Sequence, residues 1–221
     1  MKLKKALQAV ALCCGLAGVG SANASVMLFD NAGDISSILY STTYQGATLS
    51  ATVQFTLTSL TATQAIFGVQ ISNNSSGPGN NRLTSFGIDI VSPTLISAAA
   101  NGGWGASRNV NFPSFQSVDL CLWDGNNCSG GGNQGVGEGL IESFTLTLGT
   151  KGNFLTDGLE FTSPYSAKFQ DVGSSGGKSL EFAGCIVGTA GCGGSQVPEP
   201  ASLVLVGLGL LGAGLARRRK A

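Results

Sequence analysis

From Thr48 to Thr58 the chain alternates. Leu49, Ala51, Val53, Phe55 and Leu57 fall between Thr48, Ser50, Thr52, Gln54, Thr56 and Thr58. Successive side chains of a strand point to opposite faces, so this segment predicts a half-buried strand with a threonine-rich outer face. The period recurs at Phe67, Val69 and Ile71, at Phe86, Ile88 and Ile90, and at Val118, Leu120 and Leu122. It returns at Leu140, Phe144, Leu146 and Leu148, then at Leu180, Phe182 and Ile186. Asn73 to Asn81, Asn101 to Gly103 and Gly173 to Gly177 carry turn chemistry between these runs. No stretch of the body repeats at 3.6 residues. The pattern predicts an all-β fold, a single β-sandwich or jelly-roll-like ectodomain over residues 25–190, long enough to bury its own core.

Composition narrows the chemistry. The 221 residues include no histidine, which removes Ser-His-Asp and Cys-His catalysis and His-ligated metals. Seven of the 12 basic residues sit at the two ends, leaving five basic against eleven acidic residues in 25–195, a net charge of −6. An acidic body so poor in Lys and Arg makes nucleic acid an unsuitable partner, because phosphate contacts supply most of that affinity.

The ends read as export and sorting devices. Lys2, Lys4 and Lys5 precede an apolar run from Ala6 to Gly20, and Ala22-Asn23-Ala24 offers signal peptidase a small-x-small cleavage site. Residues 1–24 are therefore expected to be a signal peptide. Leu12 before Cys13 is not the small residue a lipobox wants. After a linker over 191–197, Pro198-Glu199-Pro200 leads into an apolar segment from Ala201 to Ala216, closed by Arg217, Arg218, Arg219 and Lys220. Sixteen helical residues span roughly 24 Å, short of the ~30 Å hydrocarbon core, so this transmembrane helix is a marginal anchor. The basic cluster would stay cytoplasmic and place the body outside the inner membrane.

This terminal arrangement resembles the PEP-CTERM sorting signal of exported proteins from exopolysaccharide-producing Gram-negative bacteria. The resemblance covers residues 198–221, with Pro198, Glu199, Pro200, Arg217, Arg218 and Arg219 in the family's order. It implies recognition by an exosortase, a membrane-embedded cysteine protease that cuts near Pro-Glu-Pro. A permanent anchor is the alternative, since hydropathy does not register processing. The run from Cys121 to Asn133 also resembles, faintly, a subgroup labelled cistern; no activity follows from that.

With Cys13 and Cys14 in the signal peptide, four cysteines remain in an oxidising compartment. Three pairings are open. The local pairs Cys121–Cys128 and Cys185–Cys192 are favoured because each closes a Gly/Asn-rich loop onto a strand end. A four-cysteine zinc site fits less well, since its ligand spacings are usually shorter. Gly130 to Gly135 matches G-x-G-x-x-G without the strand and helix that give this motif meaning. Asp124-Gly125-Asn126 begins like a calcium loop, but Ser129 and Gly135 stand where an EF-hand needs Gly and Glu. A looser site with Asp119 or Glu138 stays open. Asp119, Asp124, Glu138 and Glu142 supply the material for a glycosidase-like pair, whose separation the sequence does not give. Trp104 and Trp123 are candidates for stacking on sugar faces or for core anchors. Asn73, Asn74 and Asn127 lie in sequons of little meaning in a bacterial export context.

The expectation is a non-enzymatic exported protein without cofactor or catalytic residues, at the cell surface or in the extracellular matrix. Its partners would be signal peptidase, an exosortase, the inner membrane in transit and exopolysaccharide. A carbohydrate-binding module is the alternative, and an acid/base hydrolase a distant third.

Overall fold

The computed structural model describes residues 26–131 and 133–192, so the expected signal peptide over 1–24, most of the expected linker over 191–197 and the segment 198–221 lie outside the described residues. Twelve strands and one helical turn follow in order: β1 (Met27–Phe29), β2 (Ile35–Tyr44), β3 (Ala47–Leu60), β4 (Gln64–Asn73), β5 (Gly79–Ile90) and β6 (Leu95–Ala100). Then come β7 (Trp104–Asn111), β8 (Ser117–Asp124), β9 (Ile141–Thr150), α1 (Phe154–Asp157), β10 (Leu159–Val172), β11 (Ser179–Ala183) and β12 (Cys185–Ile186). They form two six-stranded antiparallel sheets, the β-sandwich that the period-two pattern demands. Sheet I runs β1-β10-β5-β8-β7, with β11 also on β10; sheet II runs β12-β2-β3-β4-β9-β6.

In β3 of sheet II the alternation is clean. Each inward residue of β3, from Ala47 to Leu57, is buried, and each outward one is half-buried or exposed. The inner faces meet in a core of edge-on aromatic rings. Phe29 lies 5.0 Å from Phe67 and Phe55 lies 5.5 Å from Phe161 between centroids. Burying each ring contributes about 1.5–3 kcal/mol, and its edge-to-face contacts add to that.

Four long strands carried no clear alternation. β2 is half Ser and Thr, β6 and β7 are edge strands of the two sheets, and β10 shifts register between Thr162 and Ser166 and is buried continuously from Tyr165 to Phe169. Two details correct the sequence reading. Leu140 is exposed in the turn before β9, where its N–H donates to the Gly137 carbonyl. Leu180, Phe182 and Ile186 belong to two strands in different sheets, because the chain crosses the sandwich at Gly184. A Cβ there would stand 2.6 Å from the Tyr40 ring, so only glycine lets β11 and β12 close this side. Cys192 is buried and disulfide-bonded to Cys185, so the folded body reaches past the expected boundary at 190 into the segment read as linker.

Candidate functional site

The two cysteine pairs are Cys121–Cys128, with Cα atoms 6.2 Å apart, and Cys185–Cys192, at 5.6 Å. The first belongs to a construction on the outer side of sheet I. Cys121 lies in the middle of the buried stretch Leu120–Leu122 of β8, and the chain after Asp124 folds back over the sheet. The Ser85 hydroxyl donates to the Cys128 carbonyl at 3.1 Å, and Val136 exchanges backbone hydrogen bonds with Leu83. Asn73, read as part of a sequon, is fully buried and donates to the carbonyls of Asn81 and Val136. Phe112, Val118, Cys121 and Cys128 form a second small core under this loop.

Each carboxylate that might have formed a catalytic pair is engaged elsewhere, and no two are joined. Asp119 accepts from the Ile90 N–H at 2.9 Å, where β5 and β8 separate. Asp124, at the other end of β8, accepts from the Gly135 N–H at 2.7 Å and ties the loop down. Glu138 accepts from the Asn81 amide at 3.1 Å, and Glu142 from the Trp104 indole N–H at 3.1 Å. Among the described residues no cluster of three or more His, Cys, Asp or Glu side chains is arranged to hold a metal ion.

The two tryptophans part company. Trp104 is 4% exposed; its ring stacks on Phe144 at 5.0 Å and spans the two sheets. Its ring packs against Phe86 and Phe144, which places it as a core anchor, the second of its two readings, and leaves the sugar-stacking one no exposed face. Trp123 is half-buried on the outer side of sheet I. Its indole lies over Gly105, its partner in register, where any Cβ would run into the ring, and its N–H donates to Ser107 at 3.4 Å.

Ion pairing also concentrates in sheet I. Lys168, 7% exposed, meets Glu181 across β10 and β11 at 2.6 Å. Burial by itself raises the Glu181 carboxyl, but hydrogen bonds from Lys168, Ser114 and Ser179 and the lysine charge outweigh it and hold it below its ordinary value. Asp89 is pushed the other way by burial, reinforced by the Asp119 charge against one backbone hydrogen bond. A polar cleft of about 380 Å³ opens between the 130s loop and the β10–β11 turn, lined by Arg82, Asn133, Gln170, Asp171, Lys178 and Ser179. Sequence reasoning had no signal for this cleft, because its lining comes from four separated segments.

The fold defines the class of the body: a β-sandwich braced by two disulfides. Residues 196–220 match the model of the PEP-CTERM protein-sorting motif, which makes the chain an exosortase-targeted protein that transits the membrane. The match leaves the Cys121–Asn133 run untouched. No curated protein and no solved structure matches the chain. Among the described residues no helix is long and apolar enough to cross a membrane; the segment 201–216 lies outside them.

Proposed function

We propose that the body is a non-enzymatic protein delivered to the cell surface or the extracellular polysaccharide matrix once its sorting segment is removed. The observation carrying this reading is the fate of the carboxylates. Asp119, Asp124, Glu138 and Glu142 each hold a different structural hydrogen bond in a different place. A glycosidase needs two facing one bond. Mass spectrometry of protein recovered from the exterior of its native host tests the processing. The expected mature form begins at Ser25 and ends near Pro198-Glu199-Pro200. Recovery there of a peptide containing Arg217-Arg218-Arg219 would establish the permanent anchor instead. Sugar release from host polysaccharide, abolished by Glu138→Gln or Asp124→Asn, would overturn the non-enzymatic reading.

The second reading is carbohydrate binding, favoured by the half-buried indole of Trp123. Glycan binding abolished by Trp123→Ala but not by Trp104→Phe supports it.

A further inference from the structure

The outer face of sheet II combines two features. Its six strands carry one charged side chain, Glu142, and that carboxylate is bound to Trp104. The strand register then lines up hydroxyls and amides in rows. Ser37, Gln54, Gln70 and Ser143 stand side by side across four strands, and Thr56, Gly68 and Thr145 form the neighbouring row. Leu39 and Ile141 flank a third row holding Thr52 and Ser72. Gln70, Ser143 and Thr145 are exposed, and Gln54, Thr52 and Thr56 half-buried.

From this we infer that the outer face of sheet II docks a neutral polysaccharide chain. The inference deepens the carbohydrate-binding reading and moves its contact from Trp123 to the opposite side of the molecule. Charge complementarity selects the occupant. An anionic glycan, a nucleic acid or a charged protein surface would have to desolvate its ions against a face offering none to pair them. A neutral polyhydroxylated chain loses no ionic hydration there and meets donors and acceptors at every strand, about 4.8 Å apart. Ser and Thr also have little rotamer freedom to lose on binding. Ile35, Leu39 and Ile141 at the margins suit the C–H faces of sugar rings. A second copy of the chain is a poorer fit, because the apolar side chains of the face, Ile35, Leu39, Ile66 and Ile141, are dispersed between polar rows instead of forming the apolar centre that stable homodimers bury.

The test is affinity electrophoresis of the full chain, in a non-glycosidic detergent, through gels containing dextran, hydroxyethyl cellulose or alginate. The expected result is retardation by a neutral polymer that persists at high salt. Gln54→Ala with Gln70→Ala should weaken it roughly tenfold through the loss of two hydrogen-bonding amides. Ser143→Arg, which lays a long cation across the row, should do the same, while circular dichroism stays unchanged. Trp123→Ala should leave it intact. Retardation lost in Trp123→Ala and kept in the sheet II variants would overturn the inference and keep the carbohydrate reading. No retardation by either neutral polymer, or a salt-sensitive effect of alginate alone, would sink it. Self-association in sedimentation that the Gln54/Gln70 variant removes would assign the face to a second copy and overturn it too.

Discussion

The two outer faces of this sandwich are built on opposite plans. Sheet II shows water rows of Ser, Thr and Gln interrupted by a few aliphatic side chains, with one charge in six strands. The six strands of sheet I carry nine charged residues, and a disulfide-held loop and the Lys168–Glu181 pair cover much of their outer side. Both inner faces feed the same aromatic core. The contrast separates two sources of stability: sheet II rests on its inner face and ladder, with one disulfide, Cys185–Cys192, at its β12 edge, whereas sheet I adds a covered outer side with a disulfide-held loop and an ion pair.

The ion pair offers the largest break in that contrast. Glu181→Gln leaves Lys168 almost buried without a counter-charge and should cost about 3 kcal/mol in chemical denaturation. It should also change the acid limb of stability. Because the folded Glu181 carboxyl sits below its ordinary 4.5, its contribution is fully present above that value and is lost as pH falls through the lowered one. The variant should therefore lose less stability on acidification than the wild type. An unchanged midpoint and an unchanged acid limb would mean the pair contributes nothing net. Next in size is the loop disulfide. Cys121→Ser with Cys128→Ser should lower stability by about 2–3 kcal/mol and raise protease cutting within 125–139, leaving β3 and β4 protected from hydrogen exchange.

The same contrast explains what could be read from the sequence. In β3 the outer side is solvated, so burial and hydropathy alternate together from Ala47 to Leu57 and the strand was legible residue by residue. In β4 Phe67, Val69 and Ile71 were legible, while Ile66 on the outer side and the buried Asn73 break the period. In β10 both sides are covered from Tyr165 to Phe169, so Ser166 and Lys168 are buried beside Ala167 and Phe169 and the period vanishes. Pairing each cysteine with its near neighbour was legible because only six residues lie between the partners. A core anchor was one of the two readings of Trp104, but the partner of its ring was not legible. Nothing local says that its ring lands on Phe144, forty residues away in the other sheet.

The finest test removes one hydroxyl from each face. Ser85 in sheet I is fully buried, and its hydroxyl donates to the Cys128 carbonyl at 3.1 Å. Ser85→Ala leaves that carbonyl without this donor under the loop, so the expected loss is about 1–2 kcal/mol. Thr52 in sheet II stands half-exposed between Leu39 and Ser72. Water replaces whatever its hydroxyl loses, leaving only its strand preference and methyl packing at stake. Thr52→Ala should therefore cost no more than about 0.5 kcal/mol. Matched urea titrations of the two variants check the ordering. Equal costs would show that the cover on sheet I contributes no more than water does on sheet II, and the division of labour between the faces would fall.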